Sequence, residues 1–185
     1  MLEMKISFLD GDESAFEKSL LVGSSDSSDV VSASVGIVVG GRNFLRIDLA
    51  ETFEYTCFQD VRMLGNKAFI GFGQRLFVID ITTENVVLYK MDGYFSDLFD
   101  AEELEYAGSD FSILASSASE LLAFDQDGTL LWKTDELGID GVIVHKVSSI
   151  GIEGDGEWDP PDGWEPFVLS SRTGERISGG IAPKW

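Results

Sequence analysis

"RLFVIDITTENVVLY" at residues 75–89 and "ELLAFDQDGTLLWKT" at residues 120–134 follow one pattern. Each begins with an apolar run that ends on an aspartate, Asp80 or Asp125. Each then turns through polar residues and returns through a second apolar run to an aromatic, Tyr89 or Trp132. Runs of Val, Ile, Leu and Phe bounded by Asp, Asn and Gly are the signature of strands joined by turns. Forty-five residues separate the two aspartates, and the same step reaches Ser170 in "EPFVLSSRTGERI". A less regular copy lies upstream in "NFLRIDLAETFEY", where the strand ends at Asp48.

The strand before each copy recurs too, as "VGIVVGG", "AFIGFG", "FSILASS" and "SIGIEGD". Gly and Ser beside branched residues let neighbouring backbones approach closely, as inner strands of radially packed sheets require. A strand-rich repeat of roughly 40–50 residues is the size of a propeller blade. "ELLAFDQDGTLLWKT" resembles the blade repeat of quinoprotein-type β-propellers, in which a strand ending near Asp leads through a Gly turn to a strand closing on Trp. The resemblance implies a fold and not an activity. The calcium site and stacking aromatic that hold the quinone in that family have no counterparts here residue by residue, so no cofactor is expected. The expected fold is all-β, a propeller-like array of three to four repeated antiparallel β units, either a minimal closed ring or an open array. A β-sandwich is the alternative. At 185 residues the chain suits a single domain over 1–185.

Strands are expected at 4–9, 29–39, 43–49, 53–58, 67–72, 75–81, 86–90, 111–115, 120–125, 129–133, 142–153, 166–170 and, more weakly, 175–178. Two short helices are expected. "SAFEKSLL" offers a capping box, Ser14 with Glu17 three residues on, and "SDLFDAEELE" provides two or three turns from Ser96. In the second, Leu98, Phe99 and Leu104 would face a sheet while Asp100, Glu102, Glu103 and Glu105 face water. Cys57, the only cysteine, precludes an intramolecular disulfide and reads as a small buried hydrophobe in a strand.

The chain carries 13 basic and 33 acidic residues, a formal charge of -20. Such a surface repels phosphate backbones, so no nucleic acid is expected, and it favours a basic protein partner. With no apolar run of a signal peptide at the N-terminus and no stretch approaching 18 apolar residues, no membrane association is expected and the chain reads as cytoplasmic.

Against the short links "GQR" and "SSAS" of the second and third copies, the fourth carries "GDGEWDPPDGW". Loop insertions on a repeat scaffold often sit on its binding face, so a loop at 155–165 is the expected site, with Trp158, Trp164, Glu157, Asp159, Asp162 and Glu165 as its binding residues. Burying one indole is worth roughly 5 kcal/mol, about 200 Å² at about 25 cal/mol per Å². At least one tryptophan is therefore expected to fold back onto the sheet. Trp164, at the start of the return strand, is the better anchor. Six carboxylates, Glu153, Asp155, Glu157, Asp159, Asp162 and Glu165, raise the question of calcium, but their spacing does not follow an EF-hand, and a solvated acidic rim with no metal is expected.

Catalytic patterns are scarce. His145, the sole histidine, is expected half-buried on a strand face with Ile143 and Val147, opposite Val142 and Val144. No GxSxG, HExxH, CxxC or P-loop occurs, and no catalytic residues are assigned. The expected function is a non-enzymatic binding module, in one version an immunity-type inhibitor covering a basic protein. The alternative is a carboxylate-based hydrolase of a neutral ligand such as a sugar, using Glu157 and Asp159.

Overall fold

In a computed structural model, which describes residues 3–11, 15–23, 30–50, 58–106, 108, 110–158 and 163–179, the chain is all-β. The first sheet comprises β1 (Met4–Phe8), β2 (Lys18–Val22), β3 (Val31–Val39) and β4 (Arg42–Ala50), in the order β1-β3-β4-β2, with β2 parallel to β4. The other three are antiparallel meanders in chain order. The second holds β5 (Gln59–Leu64), β6 (Lys67–Phe72), β7 (Arg75–Asp80) and β8 (Val86–Lys90). The third holds β9 (Phe95–Asp100), β10 (Ile113–Ser117), β11 (Leu121–Phe124) and β12 (Leu130–Thr134). The fourth holds β13 (Val142–Val147), β14 (Ile152–Trp158), β15 (Gly163–Leu169) and β16 (Arg176–Gly179).

Alternation along these strands builds three apolar cores, one between each successive pair of sheets. Val35, Ile37, Ile47 and Leu49 of the first sheet meet Ile70, Phe72, Phe77 and Ile79 of the second. Phe69, Leu76 and Val78, on the second sheet's other face, meet Leu98, Ile113, Leu122 and Phe124 of the third. Leu114, Leu121, Ala123 and Trp132 then meet Val142, Ile152, Phe167 and Leu169 of the fourth. The second and third sheets are thus packed on both faces. The first strands touch in succession, β1 on β5, β5 on β9 and β9 on β13.

The recurring small residues mark close approach. A Cβ on Gly71 would stand 2.1 Å from the Phe95 ring, and one on Gly156 would stand 1.7 Å from the Leu137 carbonyl oxygen. The repeat position at 45-residue steps does one job throughout. Asp80 Oδ1 accepts from the Thr82 and Thr83 amides, Asp125 Oδ1 from Asp127 and Thr129, and Ser170 Oγ from Thr173. Each pins the turn to the sheet's last strand. The closing aromatics also share a role. Tyr89 packs edge-on against Phe124, its hydroxyl meeting the Leu130 amide, and the Trp132 indole donates to the Ser171 carbonyl. Both reach into the following sheet.

Neither expected helix forms. Residues 18–22 instead pair with β4, because Leu20 and Val22 alternate into the first core, a period a helix would break; Ser14 lies outside the described residues. Residues 95–100 are β9, paired with β10, and only the helical turn after them survives, with Asp100 Oδ1 accepting from the Glu103 amide. The run expected as one strand over 142–153 is two, divided at Ser148–Gly151. The strand expected at 53–58, Cys57 included, lies outside the described residues except for Phe58, which precedes β5. No helix among the described residues is long and apolar enough to cross a membrane.

Candidate functional site

The acidic and aromatic stretch expected to be a long loop is mostly strand. β14 runs to Trp158 and β15 restarts at Gly163, so only 159–162, with Asp159, Pro160, Pro161 and Asp162, intervene, and these lie outside the described residues. The alternation of carboxylates and glycines in "IEGDGEW" is a strand's two faces. Ile152, Gly154 and Gly156 are buried toward the third sheet, and Glu153, Asp155 and Glu157 face away.

The register decides which expected residues share a face. Glu157 is paired with Trp164, Asp155 with Ile143 on one side and Pro166 on the other, and Glu153 with Val168. Directly paired residues project to one side of an antiparallel sheet. The outer face of the fourth sheet is therefore an acidic ridge, Glu153, Asp155 and Glu157, flanked by Ile143, Trp164, Pro166 and Val168. Ile143 is 41% and Trp164 38% exposed. Glu165 is paired with Gly156 and Trp158 with Gly163, so both fall on the alternate face, away from Glu157 and Trp164. Hence Trp164 is not the anchor expected of it. Trp158 is the more enclosed indole, and its Nε1 is buried without a hydrogen-bond partner.

Two carboxylates of the ridge are already engaged. Asp155 Oδ2 lies 2.6 Å from His145 Nε2, and Glu153 meets Lys146 Nζ at 3.2 Å and accepts from Ser148 Oγ at 3.1 Å. Glu157 has no such partner among the described residues. A register shift between Val144 and Lys146 adds a residue to β13 at His145. His145 keeps its expected face, opposite Val142 and Val144 and beside Asp155, but is exposed where half-burial was expected, and past the bulge Val147 turns toward the core with Val142 and Val144, reversing its expected placement. The sequence named Trp164 and Glu157. It missed Ile143, Pro166, Val168 and Asp155 as their neighbours, which strand alternation would have aligned had 153–158 been read as strand.

A second concentration of charge lies where β5 meets β9. Asp60 Oδ1 accepts from the Arg62 guanidinium and the Val61 amide, each at 2.7 Å, while its Oδ2 is buried without a partner. The Asp97 carboxyl lies close enough to feel the Asp60 charge. Asp97 is exposed as a residue, yet its carboxyl is crowded where the strands meet. This desolvation first, and then the Asp60 charge, raises it above the ordinary carboxylate range. Among the described residues no group of His, Cys, Asp or Glu converges as a metal site.

Neither a family model nor a curated protein sequence matches the chain.

Proposed function

We propose that the chain is a non-enzymatic binding module that docks a basic protein on the outer face of its fourth sheet. The observation that carries this is Trp164, left 38% exposed near the exposed Ile143 and beside Glu157, which among the described residues has no side-chain partner, on the face of the fourth sheet that no core of the described residues covers. Aromatic anchors ringed by charge are where interface energy concentrates, and a net charge of -20 opposes docking of a second copy while drawing in a cationic surface. An inhibitor that covers a basic protein is the specific form of this reading. Trp158, on the enclosed side of β14, then anchors the hairpin, and Glu165, Asp159 and Asp162 add to the acidic field.

The scaffold reads as an open, propeller-like array of four blades. Successive contacts between first strands and the core between each consecutive pair of sheets support it, as does the forty-five-residue recurrence of Asp80, Asp125 and Ser170.

The test uses the intact chain as bait, with a Trp164→Ala, Glu157→Gln variant beside it and amine crosslinking followed by mass spectrometry. Lys146, exposed on this face, is the reporter. A retained basic protein crosslinked through Lys146, and at least tenfold weaker on the folded variant, is the expected result. A partner held equally by both baits, or crosslinked only elsewhere, would overturn the reading.

A further inference from the structure

β8 is the outer edge of the second sheet, with no strand beyond it among the described residues. Its sequence, "VVLYK", leaves three consecutive aliphatic side chains in water, Val86 at 39%, Val87 at 49% and Leu88 at 46% exposure. The outer edges β2, β12 and β16 each expose one, Leu21, Leu131 and Ile177. Val86 and Leu88 are paired with Ile79 and Phe77 and lie on the face toward the first sheet, whereas Val87 is paired with Val78 and lies on the face toward the third. β8 therefore stands clear of both neighbouring sheets. Its line is also unbroken. A bulge shifts the register of β12 and of β16 against their inner neighbours, while β7 and β8 pair continuously from Arg75 with Lys90 to Ile79 with Val86. Bulges and charges are how sheets protect an edge from further pairing, and β8 has no bulge and a single charge, Lys90, at its end.

The ladder fixes which backbone groups are free. The Asp80 amide donates to the Asn85 carbonyl at one end of the hairpin and the Met91 amide to the Gln74 carbonyl at the other, both at 2.9 Å. Alternation between them gives β7 the amides and carbonyls of Val87 and Tyr89, and turns those of Val86, Leu88 and Lys90 outward. We propose that this edge pairs antiparallel with β8 of a second copy, about a two-fold axis at Leu88. That register is self-complementary. Leu88 exchanges both backbone bonds with the partner's Leu88, and Val86 exchanges its own with the partner's Lys90. Val87 then faces the partner's Tyr89, a β-branched and aromatic pair of the kind that stabilises neighbouring strands. Each Lys90 comes alongside the partner's Val86 and close to the partner's Glu84, a carboxylate at the strand's entry that Lys18 already meets at 2.7 Å. A contact of this length falls under about 1,200 Å², the small end of specific interfaces, where association is reversible. The charge of -20 on each copy resists the approach, but the acidic ridge lies on the fourth sheet with the third between, and exposed charges are screened beyond about 8 Å at physiological ionic strength. The fourth-sheet face takes no part, so this pairing stands or falls without the docking proposed there.

The test is sedimentation velocity of the full chain over roughly 5–500 μM, at low and at physiological salt. A monomer–dimer equilibrium that tightens at least threefold with salt is expected. Leu88→Lys and Leu88→Glu, with folding checked by circular dichroism, should each weaken it at least tenfold, because like charges then meet at the axis. Mixed one to one they should dimerise again, since only a two-fold axis at that position sets the new lysine against the new glutamate. Leu131→Lys, the same change on the bulged edge β12, should alter the equilibrium less than twofold. Should a charged variant not fold, Leu88→Pro removes an amide that β7 does not use and gives a second route to the same loss. A dimer left intact by the Leu88 changes, or a mixture no stronger than either variant alone, would overturn the proposal. So would a wild type that stays monomeric throughout, which would leave the edge to an extended strand of a different protein.

Discussion

The third and fourth sheets share a meander and a turn position, Asp125 or Ser170, yet their middle strands read differently. β11 is "LLAF", apolar throughout, because Leu122 and Phe124 face the second sheet while Leu121 and Ala123 face the fourth. β14 is "IEGDGEW", in which every other residue is a carboxylate until the closing tryptophan. A continuous apolar strand is covered on both faces, and an alternating one on a single face. The difference separates a sheet that transmits packing from one that presents a surface. It also marks out the proposed docking face without any appeal to loop length.

The largest expected effect tests the covered side. Phe69→Ala empties a fully buried ring between the second and third sheets and should cost about 3–5 kcal/mol in urea unfolding. Trp164→Ala on the presented face should cost clearly less, about 1–2 kcal/mol. If the two losses are equal, Trp164 belongs to a core and the contrast fails. The turns give a finer comparison. Asp125→Ala removes a charged acceptor of two amides and should cost about 1.5–3 kcal/mol, whereas Ser170→Ala removes a neutral acceptor of one and should cost about 0.5–1.5 kcal/mol, both read from denaturation midpoints.

The smallest effect is one of pH. Asp97 is raised in the folded chain, so its contribution to stability is complete below the ordinary carboxylate range and fades as pH rises through the raised value. Asp97→Asn should therefore gain on the wild type across that window and keep the gain at neutrality. Asp80 is held far below the ordinary range, first by its hydrogen bond from Lys67 and then by the Thr83 amide. Its contribution has the opposite sign, present above the ordinary range and lost only in strong acid. Asp80→Asn should flatten the acid limb of the midpoint-against-pH curve. A flat difference between Asp97→Asn and wild type from pH 3 to 7 would dismiss the crowding at β5 and β9.

The turns of the last three sheets were legible because Asp80, Asp125 and Ser170 each accept from the amides that follow, and Tyr89 and Trp132 each reach the next sheet. What misled were local signals overridden by pairing. A capping box at Ser14 and Glu17 and an acidic run after Ser96 favour helices in isolation, but "KSLLV" and "FSDLFD" complete sheet edges whose apolar partners lie far along the chain. β5, "QDVRML", carries Asp60 and Arg62 in its middle and lacks a strand's composition. Asp60 and Arg62 pair with each other, and Arg62 reaches across to the Leu98 carbonyl of β9. At the site, prolines and glycines in "EWDPPDGWE" drew attention to a loop, while the face itself depended on register.

Tyr89 and Trp132 both reach from their own sheet into the one that follows it in the chain. At these two junctions the closing aromatic works as a tenon cut on the earlier course and seated in the later one. The third and fourth sheets thus each dock against a sheet that comes earlier in the chain and already presents the ring that joins them, the arrangement that suits assembly in the order of synthesis.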